Sequence, residues 1–171
     1  MRPKRVIEVS NEEIWTAWRT VRILNGDREG KSIDVFSAEL RDAHAAVGHQ
    51  GVFNGMGVLL KVLLEWAAED LVLGPDQHDA VSTVLPPLLR RYRRTVPEQL
   101  LDLTPMVAGA MAAALLDHDV VEWRDQYGPP GPGELAAYGF VVWMVADFLD
   151  GEYRKGITNE LLEAVLCEHA G

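Results

Sequence analysis

The chain has 171 residues, of which 48% are hydrophobic and 25% charged, and its formal net charge is −10. That length fits one domain with its own core. Its single cysteine, Cys167, excludes an intramolecular disulfide framework and a zinc knuckle, so a reducing cytoplasm is the expected compartment. So acidic a chain is poorly suited to nonspecific contact with nucleic acid or anionic membrane, both of which demand excess positive charge.

Arg2, Pro3, Lys4 and Arg5 are followed by only Val6 and Ile7 before the chain turns acidic, too short for an apolar leader core, so no leader is expected and residues 1–9 read as a flexible lead-in. Ser10 with Glu13 has the spacing of a capping box, and Val9 and Ile14 sit at the staple positions around it. Ile14, Trp15, Trp18 and Val21 then form the stripe of a first helix. Residues 20–36 are ambiguous. Two weakly alternating runs flank a Gly-rich turn, and a helix followed by an ordered loop is preferred over a β-hairpin.

A long helix is expected from about Val52 to Leu73 on the spacing of Leu59, Leu60, Leu63, Leu64 and Ala67. Upstream, the segment from Gly48 to Gly51 is a candidate helix break. Gly74 and Pro75 stop this helix and Asp76 caps the next, in which Pro86 and Pro87 predict a kink or a split. Thr95 with Glu98 repeats the capping-box spacing, and Asp119 with Glu122 offers an acidic version. Residues 100–116 are apolar nearly all round, as a central helix would be, with Gly109, Ala112 and Ala113 as a face for close approach. The Pro/Gly-rich run 127–133 is a loop. It precedes a last helix pair at about 134–149, closed by Asp150 and Gly151, and 158–168, opened by Thr158.

These elements define an all-α bundle of about six or seven helices in one domain, with one central apolar helix. The runs 103–116 and 135–146 fall short of the roughly 18 to 20 residues that span a bilayer, so no membrane association is expected. Arginine greatly outnumbers lysine, and Ala, Gly and Val abound, as in a GC-rich, bacterial genome.

Chemistry-bearing residues are sparse. His44 shares a face with Leu40 and Val47, and His49 lies about 140° further round a regular helix, so the two do not chelate one metal from it. His118 sits between two aspartates at a helix junction. Glu65 with Glu69, and Asp147 with Asp150, are carboxylate pairs at helical spacing. On facing helices they would suit Mg²⁺ and a phosphate-bearing substrate, and on solvated faces they would do nothing of the kind. Arg90, Arg91, Arg93 and Arg94 around Tyr92 are the one dense basic cluster. They fit phosphate or a stacked base, but equally a helix C-terminus whose dipole needs cations, with salt bridges to nearby carboxylates. Trp15, Trp18, Trp66, Trp123 and Trp143 serve a core, a pocket or a partner surface.

No Gly-rich phosphate loop or nucleophile elbow accompanies these residues. The first expectation is therefore a non-catalytic cytoplasmic protein that binds another macromolecule, of a regulatory, inhibitor or immunity type. It needs no cofactor, takes a protein rather than DNA as partner, and leaves self-association open. The alternatives are a small-molecule or Mg²⁺-dependent phosphoester site at Glu65, Glu69, Asp147 and Asp150, and a phosphate or RNA contact through residues 90–94.

Overall fold

The computed structural model describes residues 8–23, 26–71 and 77–168. Among them are seven α-helices, one 3-10 helix and no strand. The helices are α1 (Asn11–Arg22), α2 (Ile33–Leu71), α3 (Gln77–Thr95), α4 (Thr104–Leu115), α5 (Val120–Asp125), α6 (Glu134–Glu152) and α7 (Ile157–Glu168), with the 3-10 helix at Glu98–Leu103. The chain is an all-α bundle. Residues 1–7 of the expected lead-in, and the expected stop and cap at 74–76, lie outside the described residues.

Several start signals act as their spacing implies. The Glu13 N–H donates to Ser10 Oγ at 3.2 Å while the Ser10 N–H donates to Glu13 Oε2 at 3.4 Å, which closes the capping box. Asp119 Oδ1 accepts from the Glu122 N–H at 2.9 Å to open α5. The Thr95 signal misleads, because α3 runs through Thr95, whose hydroxyl donates back to Arg91 O. Pro97 then opens the 3-10 turn, with no side-chain cap.

The helix at the centre differs from the one expected at 100–116. That segment divides into the 3-10 turn and α4, which starts where Thr104-Pro105 supplies a favourable first turn. The centre is α2, which packs against α1, α3, α4, α5 and α6. Val52, Phe53, Met56, Leu59, Leu60, Leu63, Leu64 and Ala67 are all buried along it. Each such large side chain contributes roughly 1.5–3 kcal/mol relative to exposure. Of the residues whose apolar pattern places them at the centre, Leu100, Val107, Met111, Leu115, Val141 and Met144 are buried, while Leu103 and Phe148 are only partly buried against the core.

Gly48 breaks α2 into arms 33–47 and 49–71. Its φ of 76° and ψ of 166° are open to glycine and strained for any residue with a Cβ. Residues 43–60 hold no Asp, Glu, Lys or Arg, a longer uncharged run than those weighed above. The stretch Ile33–Glu69 is long and apolar enough to cross a bilayer by length and composition. In this fold, 56% of that apolar window is buried against the bundle, as expected of a core helix.

The hairpin alternative at 20–36 does not form. Thr20–Arg22 complete α1, and Ser32 opens α2, accepting the Val35 N–H on its hydroxyl at 3.3 Å. Between them the chain is tied by Arg22 to Asp27 at 2.8 Å and by Arg19 to both Glu29 and Glu39. The prolines of α3 do not split it either. Pro86 and Pro87 are exposed, and the helix runs through both of them.

Close helix contacts occur at glycines. A Cβ on Gly55 would sit 2.3 Å from the Glu13 carbonyl oxygen of α1, and one on Gly109 would sit 2.7 Å from the Trp123 ring, the close approach expected of α4's small face. By contrast, one on Gly139 would make an ordinary 3.7 Å contact with Met56. Gly55→Ala is therefore expected to destabilise the fold by about 1–3 kcal/mol in urea denaturation. Gly139→Ala should be neutral or stabilising by up to about 1 kcal/mol, from helix propensity. Equal losses at both positions would contradict this packing.

Candidate functional site

The arginine cluster occupies the last turns of α3, and the helix wheel sorts its members. At about 100° per residue, Arg90, Arg93 and Arg94 fall within one arc, Arg91 lies to its side and Tyr92 lies opposite. The structure follows that geometry. Arg90, Arg93 and Arg94 are exposed and make no ion pair among the described residues. Arg91 turns toward α6, where its Nη2 lies 2.6 Å from Asp147 Oδ2 and its guanidinium lies 5.9 Å from the Trp143 ring centre.

Tyr92, expected above to join the binding surface, does not. Its exposure is 0%, and its hydroxyl donates to Leu100 O at 3.2 Å, tying the end of α3 to the 3-10 turn. Burial raises its pKa. A ring on the inward side of an amphipathic helix is a core residue, whatever charges flank it.

The four candidate metal carboxylates have different partners. Glu65 lies 3.8 Å from Lys61, which also pairs with Asp117 at 3.4 Å. Glu69 is exposed, and Asp147 holds Arg91. Asp150 is a capping residue. Its Oδ1 accepts from the Thr158 N–H and hydroxyl at 3.0 and 2.8 Å, and its Oδ2 accepts from the Gly156 N–H at 3.1 Å. It thereby fixes the start of α7 from within α6, which runs past Asp150 to Glu152. Among the described residues no group of three or more His, Cys, Asp or Glu side chains is placed to hold a metal ion.

The histidines are also dispersed. His44 Nε2 lies 2.7 Å from Thr20 Oγ1, joining α2 to α1, and burial with the nearby His49 lowers its pKa. His49 and His118 are exposed. Of the tryptophans, Trp18 is buried and donates through its indole to Asn159 Oδ1 at 2.8 Å, while Trp15, Trp66, Trp123 and Trp143 pack partly buried against the core.

One buried polar group was not singled out by any sequence signal. Arg124, 5% exposed, and Glu134, 3% exposed, pair through two bonds of 3.1 and 2.7 Å. Arg124 also donates to the carbonyls of Gly128 and Pro129, so it pins the Pro/Gly loop between α5 and α6. Beside the pair, Tyr138 Oη is buried with no hydrogen bond of ordinary geometry among the described residues. Burial, reinforced by Glu134, pushes its phenol well above the ordinary range. The one hint in the sequence was an arginine just before that loop and a glutamate just after it.

Set beside known proteins, the chain matches no family model, no curated protein and no solved structure.

Two outcomes follow from the buried groups. Glu134→Gln leaves Arg124 buried without its counter-charge and is expected to cost about 3–5 kcal/mol in chemical denaturation. Tyr138→Phe removes a hydroxyl with little to lose and should change stability by no more than about 1 kcal/mol. The reverse ranking would remove the ion pair from its structural role.

A third outcome concerns pH. Burial raises the Glu65 carboxyl above its ordinary 4.5, Lys61 opposes this, and Asp117 adds to it. A carboxyl raised in the folded state contributes stability that is complete below the unfolded value and is lost as pH rises through the folded one. Glu65→Gln should therefore raise the melting temperature near neutral pH and leave it almost unchanged below pH 4.5. A loss of stability at neutral pH would refute this assignment.

Proposed function

We propose that the protein acts without catalysis, by binding an acidic patch on another protein through Arg90, Arg93 and Arg94. The observation that carries this reading is the exposed arc of three guanidinium groups, with no carboxylate neutralising any of them among the described residues, on a chain of net charge −10. Such a helix end is offset from the remaining charge of the molecule, so its field orients an approaching partner before contact. Guanidinium groups are weakly hydrated and grip carboxylates through paired hydrogen bonds, which suits them to an interface. A nucleic acid meets the same arginines but is repelled at longer range by the acidic body.

The cluster also offsets the dipole at the end of α3, where Arg93 and Arg94 fill the last turn. That structural service predicts a small stability loss on substitution and no loss of partner. The binding reading predicts the reverse. The double variant Arg90→Glu, Arg94→Glu should melt within a few degrees of the parent, since exposed substitutions change stability by roughly 0.5 kcal/mol or less, and should lose the proteins that the parent captures from its native host. Arg91→Met, which alters the side chain facing α6, should keep them. Retained capture by the double variant would overturn the proposal. Salt-sensitive retention of the parent on heparin, lost in the double variant, would transfer the site to phosphate ligands.

A further inference from the structure

The arginine arc borders apolar surface. Where α3 meets α6, Pro87, Leu88, Phe148 and Arg91 surround a shallow dent. Pro87 is exposed and Phe148 partly exposed, and Leu88 forms the floor at 9% exposure. Ala67, Val84 and Val145 are closed beneath that floor, so the dent receives a side chain laid across it and not a body inserted into the bundle. Arg91 is held by Asp147 at 2.6 Å and supplies no free charge there.

The helix wheel joins this dent to the arginines. At about 100° per residue, Pro87 falls between Arg91 and Arg94, and Pro86 between Arg90 and Arg93. The two prolines therefore share one face of α3 with the three guanidinium groups that make no ion pair among the described residues. A proline inside a helix is destabilising, because it removes a donor and crowds the preceding turn. Both prolines are exposed, so packing within the bundle does little to offset that cost. On a docking face they are well suited to contact, since a proline ring loses no rotamer freedom and leaves no N–H to be stripped of water. We propose that this face takes an acidic segment of another protein, whose one large apolar side chain covers Pro87 and Phe148 while carboxylates on either side of it meet Arg90 and Arg94. The inference rests on the protein-binding reading and specifies what that partner presents. Charge complementarity selects the occupant: a cationic rim around an apolar centre, on a chain of net charge −10, calls for carboxylates around an apolar anchor.

The test is selection of short random peptides on the immobilised full chain, then calorimetric titration of the synthesised winner, with melting curves for every variant. Selected sequences should carry Leu, Ile, Phe or Trp with Asp or Glu within about four positions on both sides. Pro87→Gln, which changes no charge, should weaken the peptide by about tenfold, whereas Pro87→Leu alters the backbone in the same way but stays apolar and should bind within about threefold of the parent. Replacing the peptide's apolar residue by Ser should cost a similar factor, and that loss should not add to the loss from Pro87→Gln, because both remove one contact. Arg90→Glu with Arg94→Glu should abolish binding. A peptide lost to the double arginine variant but unaffected by Pro87→Gln would overturn the apolar anchor and leave the arginine reading standing. A peptide retained by the double variant would overturn the arginine reading and this inference with it. No enrichment of acidic sequences with an apolar centre, or a parent that sediments as a dimer made monomeric by Pro87→Gln, would also overturn the inference, the second by making another copy of the chain the occupant.

Discussion

The second arm of α2 has helices against most of its circumference, and that crowding constrains the rest of the chain. A helix so enclosed must be apolar on nearly every side and narrow where neighbours cross it. Leucines at 59, 60, 63 and 64 meet the first demand, and Gly55 meets the second by letting the α1 backbone approach. Because α1 lies so near, Thr20 reaches His44 of α2. α3 and α6 then close the far side, which places Arg91 opposite Asp147.

Charge is handled in three ways around this core. Arg124 and Glu134 are withdrawn from water together and bonded to each other and to the loop, so neither is left uncompensated. Arg19, Arg22, Asp27, Glu29, Lys31 and Glu39 form a network at the surface that ties residues 27–31 to α1 and α2. The outer arc of α3 belongs to neither group. Its guanidinium groups remain in water at a helix end, where a partner's carboxylates would meet little competition from the protein's own.

Helix class, and much of the core, was legible because the relevant signals are local. Ser10 and Asp119 cap the helices that begin beside them, apolar spacing marked the buried residues of α2, and the apolar runs of α4 and α6 marked them as core helices. The errors arose where a local signal met a longer-range competitor. Thr95 has the spacing of a cap, but α3 continues through it and its hydroxyl bonds back within the helix. Tyr92 looked like part of a basic patch until its wheel position placed it against Leu100. Asp150 looked like half of a carboxylate pair, while its real partners, Gly156 and Thr158, lie beyond a turn. The Arg124–Glu134 pair spans ten positions across a loop, and no periodicity in a sequence encodes such a meeting.

The break at Gly48 also divides the molecule mechanically. The arm before it contributes Phe36 and Leu40 to the buried set, whereas the arm after it carries most of the central leucines. A continuous helix would couple both arms through one unbroken ladder of backbone hydrogen bonds. With Gly48 outside the helical region, residues 33–47 join the second arm through a kink rather than a regular turn. Amide hydrogen exchange along α2 is expected to be faster before the glycine than after it, because so few of the first arm's side chains are buried.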